Sequence, residues 1–489
     1  MDLSRRGFIG AGIVLAATGA GGFTARGERR LRLGVLSDIH ITDERATEPF
    51  EAVLRIFDRA KVDGVLVCGD LADYGVVPQL EAVARAWFRV FPDGKGADGR
   101  PVANLMHFGD HDTTGSTYRR CRPCVEMFPD EEAMKGISIG RMDLAGRKAV
   151  WERCFREPWA PIVHKRVKGY DFVLAHFTRG EPGNAKGDNT PGLAEFLSGL
   201  KLDSKRPFFY SQHRVYRRTV GGEFLWGQED GTTGALFAAK YPNVVAFCGH
   251  SHETGADDLN VWQDGFTAIQ VPSLRYCVTR GGRENGFSLN DRGIRSPGYS
   301  MPEMGVGEGY DFTRQGYVVD VYDEGLVVSR REFKAGTRLG PDWHVPFAPK
   351  RDGRYPHPTR AGTVAAPRFP AEAAVAVARV RTKDRAGVER EMFELRFPTA
   401  GSTPSSPRAY DYEVCVEAAR EDVVQTVASR RFFSRIIYGE ASDREVVARI
   451  PVEDVPTDRL TRFAVRPVSA FGRRGGVICT EISNIEQRG

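Results

Sequence analysis

The segment Leu31-Arg32-Leu33-Gly34-Val35-Leu36-Ser37-Asp38-Ile39-His40 decides how this chain is read. An apolar run of strand character ends on a carboxylate and an imidazole two residues apart. Those side chains together suit divalent metals such as Zn, Mn and Fe. The arrangement returns along the chain. Val65 to Cys68 leads into Gly69-Asp70-Leu71-Ala72-Asp73, and Val102 to Phe108 into Gly109-Asp110-His111-Asp112. Phe208 to Ser211 precedes a lone His213, and Val244 to Cys248 precedes Gly249-His250-Ser251-His252. Five of the chain's ten histidines fall in this series. Ligands at the carboxyl ends of strands in an open α/β sheet converge on one crevice, so the series predicts one site.

Between the motifs, Glu51 to Lys61, Gln79 to Arg89, Gly192 to Leu200 and Thr233 to Lys240 carry apolar residues at helical spacing. Tyr170 to Ala175 and Pro207 to Ser211 read as buried strands. The alternation predicts βαβ units and an α/β sandwich of mixed sheets flanked by helices over 30–340. Two stretches break the rhythm and are expected as insertions over the crevice: 113–166, which is polar, and 279–309, which is rich in Gly, Arg and Ser. Gly316 to Phe333 predicts a hairpin turning at Asp323-Glu324-Gly325. Prolines from Pro341 to Pro370 predict a linker. Beyond it, 371–489 predicts an all-β sandwich domain with strands at Val375 to Val380, Met392 to Phe397, Tyr410 to Glu417, Ser434 to Tyr438, Val446 to Ile450 and Leu460 to Val468.

A length of 489 residues is too great for one ordinary domain. The net charge of +5 comes with no long basic run, so a nucleic-acid partner is not called for. The N-terminal Ser4-Arg5-Arg6-Gly7-Phe8-Ile9-Gly10, ahead of a Gly- and Ala-rich apolar stretch ending near Thr24, resembles a twin-arginine export signal over 1–27. That implies a periplasmic or secreted protein with no membrane span unless the signal is retained as an anchor. Gly10-Ala11-Gly12 follows no strand and is not a dinucleotide fingerprint. Cys68 and Cys248 end apolar strands and are expected in the core. Cys121-Arg122-Pro123-Cys124 is a lone close pair, open to a local disulfide or two free thiols.

Taken together, the five segments resemble the calcineurin-like metallophosphoesterases over about residues 31–275. That family's pattern is D-x-H, G-D-x-x-D, G-N-H-D/E, a later H, and G-H-x-H. The resemblance implies hydrolysis of a small-molecule phosphate ester at two metal ions, Fe, Mn or Zn, with a hydroxide between them as nucleophile. It makes Asp70 the bridging ligand, with Asp38, His40 and His252 completing one metal site and Asp110, His213 and His250 the other. It makes His111 the general acid and Asp73 the carboxylate that orients it. Purple acid phosphatases carry a tyrosine where this chain has Asp73; here tyrosine stands one place on, at Tyr74. The late segment Arg462 to Gly472 resembles the last strand and turn of a fibronectin type III domain.

The chemistry holds without the name. Two divalent ions can clamp the attacking and leaving oxygens of an in-line phosphoryl displacement, and a carboxylate can bridge them where an imidazole cannot. Asp110 departs from the family's asparagine. With two M²⁺ ions, three carboxylates and one hydroxide the charges sum to zero, where asparagine would leave +1. At about 5 Å and an effective dielectric near 20, one unit of charge is worth roughly 3 kcal/mol, so Asp110 is expected to favour monoanionic diesters over dianionic monoesters. Asp112 is expected to cap or orient locally, His107 to be core, and His176 to end a strand near the pocket. Arg214, Arg217 and Arg218 are expected in a solvated loop, with phosphate binding as the other reading. The rival function from another class is a surface binding protein carrying an inactive phosphoesterase scaffold.

Overall fold

The computed structural model describes residues 27–113, 136–178, 192–217, 219–220, 231–277, 313–347, 362, 364–383, 389–401, 408–420, 423–434, 445–456 and 461–480. The N-terminal segment, Cys121 and Cys124, Arg218, the stretch 279–309 and His357 lie outside them.

The chain begins a first sheet with β1 (Leu31–Leu36), β2 (Gly64–Val67) and β3 (Ala103–Met106), all parallel. Helices α1 (Glu48–Arg59) and α2 (Val77–Val90) cross over between them. In α1 the apolar Phe50, Val53, Leu54 and Phe57 recur at helical spacing and are buried, while Glu48 and Glu51 sit in the first turn, where the helix dipole favours acids. After a short turn of helix, α3 (Asp110–Thr113), and the longer α4 (Leu144–Phe155), the chain builds a second sheet. There β4 (Ile162–Val167) pairs antiparallel with β5 (Tyr170–Ala175), and β6 (Phe209–Ser211) and β7 (Val245–Cys248) follow in parallel. Helices α5 (Leu193–Gly199) and α6 (Gly231–Lys240) connect them, and β8 (Val261–Gln263) and β9 (Thr267–Gln270) close the edge, β9 parallel to β7. The chain then returns to the first sheet as the hairpin β10 (Gln315–Val321) and β11 (Gly325–Glu332), with β12 (Thr337–Arg338) and β13 (Trp343–Pro346) both pairing with β11.

The two sheets face one another across a core that includes Leu33, Val35, Leu66, Phe172, Phe209, Phe247, Val319 and Val328. A second cluster packs α1, α2 and α4 on the outer face of the first sheet, and a third packs α5 and α6 on the outer face of the second. Four layers result, α/β/β/α. Strands covered on both faces have no need of an alternating pattern, which is why β2, β5 and β7 are buried at every residue.

Three sequence expectations change. The described second half of 113–166 belongs to the frame: α4 buries Val150, Trp151 and Phe155 against α2 and β3, and β4 is an edge strand. Its helical pattern is masked because Arg147, on the buried face, satisfies itself on the carbonyls of Ile139 and Gly140. The stretch from Pro341 is not linker at its start, since Trp343 and Val345 bury against the sheet and the Trp343 indole donates to Asp258. In the C-terminal part, β14 (Ala376–Lys383), β15 (Glu389–Pro398) and β18 (Glu445–Pro451) form one sheet. The other holds β16 (Asp411–Arg420), β17 (Val423–Phe433), β19 (Thr461–Val468) and β20 (Ile478–Cys479). They share a core of Phe393, Leu395, Tyr412, Val414, Phe463 and Val465. β17 was not expected from the sequence, since its exposed Val423, Val424 and Val427 give it no buried stripe to read; the strand expected at Ser434 to Tyr438 lies outside the described residues except for Ser434.

Among the described residues no helix is long and apolar enough to cross a membrane. Cys68 and Cys248 are fully buried, as their strand-end positions predict.

His107 and His176 are also fully buried. His107 pairs with the Ser211 hydroxyl at 2.8 Å, and the Phe108 amide donates to His176 Nδ1 at 3.1 Å, so neither histidine lines the pocket. Burial pushes His107 down to about 3 and His176 well below the usual histidine range. Both are therefore neutral in the folded state while the unfolded chain takes up protons near pH 6.5, so folding stability falls as pH drops below 6.5 by up to about 1.4 kcal/mol per unit for each site. His176→Asn keeps an acceptor for the Phe108 amide and removes one titration. Urea unfolding of the two proteins should show the variant gaining on wild type progressively from pH 6.5 to 4.5; parallel curves would contradict it.

Candidate metal centre

Every residue of the opening series sits where a parallel strand ends. Asp38 and His40 follow β1, Asp70 follows β2, Asp110 and His111 follow β3, His213 follows β6, and His250 and His252 follow β7. The two sheets bring these ends together. Ser37 bridges to Ser273 across them, and the Asp38 carbonyl accepts from the Ser273 hydroxyl and the Arg275 amide.

The backbone turns sharply here. Asp38, His40, Asp70, His250 and His252 all have φ between 44° and 70°. Non-glycine residues in that region cost of order 1–3 kcal/mol each and persist only where their surroundings over-determine them. Close approach fixes two motif glycines. A Cβ at Gly109 would lie 2.2 Å from Asp70 Oδ1, and one at Gly249 would lie 1.8 Å from Ser37 Oγ.

Two donor clusters form around a shared carboxylate. The first joins Asp38, His40, Asp70 and His252; the second joins Asp70, Asp110, His213 and His250. In the first, His252 Nε2 lies 3.1 Å from Asp38 Oδ1, and His40 Nε2 lies 3.6 Å from Asp70 Oδ2. In the second, His213 Nε2 lies 3.2 Å from Asp70 Oδ2 and 2.9 Å from Asp110 Oδ1, and His250 Nδ1 lies 3.2 Å from Asp110 Oδ1. Ligands about 2.1 Å from a tetrahedral ion stand about 3.4 Å apart, so the spacings suit metal in both. Asp70 Oδ2 faces both clusters.

The imidazoles themselves test whether metal fits. His40 Nδ1 donates to Asp73 Oδ1 at 2.9 Å, His252 Nδ1 to the Tyr276 carbonyl at 3.2 Å, and His213 Nδ1 to the Cys68 carbonyl at 2.7 Å. The Nε2 of each ring is thereby aimed inward, and in the neutral ring it would be the ligating atom. Yet His40 Nε2 and His252 Nε2 stand 3.2 Å apart, as do His213 Nε2 and His250 Nδ1. Ring nitrogens that face each other at that distance, ringed by carboxylates, are a donor set a cation would fit. His250 Nε2 is buried and has no hydrogen-bond partner among the described residues, consistent with a ring placed by its Nδ1.

The field points the same way. Burial opposes the charge on Asp38 and Asp110, but the surrounding histidines hold both carboxyls well below their usual range. Burial also opposes charge on His111, and the carboxylates of Asp70 and Asp110 overcome it, raising this group to about 9. His213 is raised likewise, well above the usual histidine range, by Asp70, Asp110 and Asp38 against its burial.

Asp73 stands beside both His40 and His111. Its carboxylate bonds to His40 and stands 3.8 Å from His111 Nδ1, which donates to the Asp73 main-chain carbonyl at 2.7 Å. Loop register causes this: the His40 amide donates to the Asp70 carbonyl and the Ile41 amide to the Leu71 carbonyl, which carries Asp73 alongside His40. Asp112 is a clamp. It is fully buried and accepts from the Gly109, Leu71 and Ala72 amides at 2.7, 3.1 and 2.7 Å, tying the Asp70 loop to the Asp110 loop. Arg214 is buried, not solvated, with its guanidinium over Phe177 at 5.4 Å, whereas Arg217 is exposed. Tyr276, which no motif announces, sets its ring 4.2 Å from that of His252.

Residues 31–254 match the calcineurin-like phosphoesterase family model. No curated protein matches the sequence. Among solved structures, a dimetal phosphatase from Danio rerio is similar at 12% identity and TM-score 0.39, covering 66% of this chain and 100% of that one. An anchor protein of the inner membrane complex of Plasmodium is similar at 12% identity and TM-score 0.35, covering 66% and 90%. A purple acid phosphatase from yellow lupin seeds is similar at 13% identity and TM-score 0.36, covering 63% and 52%. The ordered motifs at strand ends, the paired donor clusters and the match of residues 31–254 to the calcineurin-like phosphoesterase model fall on the same stretch of mixed α/β fold.

Proposed function

We propose that this protein is an exported, binuclear metal-dependent phosphoesterase that prefers phosphodiesters. The observation that carries the reading is the pair of four-residue donor clusters meeting on Asp70. Asp38, His40, Asp70 and His252 would hold one ion, and Asp70, Asp110, His213 and His250 the other. Carboxylate and imidazole donors suit Fe, Mn or Zn. When bound, such a pair neutralises the phosphoryl oxygens and lowers the pKa of water. The rest is done by the protein. His111, held through Nδ1 by the Asp73 carbonyl and a third exposed, presents its other edge to a leaving oxygen as general acid. The His111 amide donates to Asp70 Oδ1 at 2.9 Å, so the acid is anchored directly on the bridging carboxylate. Export rests on the twin-arginine resemblance of Ser4 to Thr24. Against an inactive scaffold, which would be expected to have lost some of these groups, the sequence keeps a carboxylate or imidazole at every motif position.

Preference for diesters rests on Asp110. Its carboxylate touches both His213 and His250 and adds a negative charge where the family carries an amide.

Purified protein should hold two metal ions per chain and hydrolyse a bis-nitrophenyl phosphate. His213→Ala and His250→Ala should each bring metal content towards one ion and lower turnover at least a hundredfold, read by elemental analysis and a chromogenic assay. Asp110→Asn should raise the ratio of monoester to diester hydrolysis, by as much as about a hundredfold if the full 3 kcal/mol is expressed. An unchanged ratio would refute the charge argument and leave the metal assignment standing.

A further inference from the structure

Asp73 is the place where motif and geometry disagree. Its position three residues after Asp70 implies service to the acid His111, yet its carboxylate is spent on His40. The contact is specific. Asp73 Oδ1 meets His40 Nδ1 at 2.9 Å, the His40 side chain is 1% exposed, and the Nε2 of that ring faces Asp70 and His252. His111 has its own anchor, because its Nδ1 donates at 2.7 Å to the main-chain carbonyl of Asp73, which no side-chain substitution removes. The two imidazoles meet edge to face with centroids 4.6 Å apart, so one residue supports both rings through different atoms.

We propose that Asp73 is a positioning residue of the first metal site, acting through His40, and that the acid His111 is anchored by the Asp73 main-chain carbonyl. This rests on the metallophosphoesterase reading of the site. A carboxylate on Nδ1 fixes the tautomer of a ligating imidazole, aims the ring, and makes Nε2 a stronger donor; loss of such partners costs 10- to 100-fold in metal affinity. The opposite edge of each of the other two inward-facing Nε2 rings is held by a neutral carbonyl, that of Cys68 for His213 and that of Tyr276 for His252. His40 thus has the one charged support among the three, and its ion should be the more sensitive to that support.

The test titrates metal-free full-length protein with Mn²⁺ by calorimetry. Wild type should take up two ions. Asp73→Ala should weaken one of the two by 10- to 100-fold and leave the other unchanged, while Asp73→Asn, which keeps an oxygen acceptor for His40 Nδ1, should recover part of the loss. At saturating Mn²⁺, Asp73→Ala should keep the wild-type dependence of kcat on leaving-group pKa, because the carbonyl still holds His111. If both ions bind Asp73→Ala as they bind wild type, and its rate loss grows with poorer leaving groups, Asp73 serves the acid and the proposal is overturned. Wild-type protein that takes up no Mn²⁺ would overturn the metal-site reading itself, and this inference with it.

Discussion

Carboxylates gathered in a buried crevice are the constraint around which this domain is organised. Asp38, Asp70 and Asp112 are at most 1% exposed, and Asp110 joins them with its side chain 18% exposed. Asp70 lies within 4.8 Å of the donor atoms of both Asp38 and Asp110. Two like charges at that distance repel by about 3 kcal/mol at an effective dielectric near 20. The fold answers with oriented donors. The His250 amide points at Asp38, the His111 amide at Asp70, and three amides at Asp112. What these leave uncompensated falls to imidazoles and cations. Asp112 shows how the load is distributed: burial and the neighbouring Asp70 push its carboxyl up to about 7 despite three N–H partners, so it shares the proton economy of the site while binding only backbone.

The same constraint explains the strained turns. Amides can converge on a buried carboxylate only if the chain reverses within a residue or two, and β1, β2 and β7 each end on such a reversal, with φ of 51° at Asp38, 53° at Asp70 and 70° at His250. Glycine would adopt these angles at no steric cost, but it carries no ligand. The motif glycines therefore stand beside the ligands, where space is short: Gly109 against Asp70 and Gly249 against Ser37. Spacing within the motifs records this division between residues that must bind and residues that must make room.

Much of this was legible in the sequence because strand and ligand are adjacent in it. Asp38, His40, Asp70, Asp110, His213, His250 and His252 all appear as polar residues directly after apolar runs, and the structure gathers all seven. The helices that cross between the parallel strands were legible from their apolar spacing. The role of the Asp73 side chain was not, because it depends on how two loops slide past each other, a register set by the Ile41 and Ala72 pairing and encoded in neither loop alone. Nor were the carbonyls of Cys68 and Tyr276, since main-chain acceptors have no sequence signature. α4 and β13 were hidden in stretches rich in polar residues or proline, where burial of single tryptophans, Trp151 and Trp343, outweighs composition.

The division of labour between the sheets follows from their chemistry. The first sheet supplies the three carboxylates Asp38, Asp70 and Asp110 of the two clusters together with His40, while the second supplies only imidazoles, at His213, His250 and His252. Had each sheet carried its own complete acid and imidazole set, either could hold metal alone and nothing would fix the distance between the centres. With all three carboxylates on one side and three of the four imidazoles on the other, neither sheet supplies either whole cluster. The shared Asp70 then ties both clusters to a single strand end, β2. Direct links across the seam already fix the sheets at the crevice: His213 on the Cys68 carbonyl, the Ser211 hydroxyl on the Cys68 sulfur at 3.3 Å, and the Phe177 amide on the Phe108 carbonyl at 3.1 Å. The crevice is thus held in register by neutral hydrogen bonds just beneath its floor, which leaves the charged groups above free to be matched by cations and substrate rather than by one another.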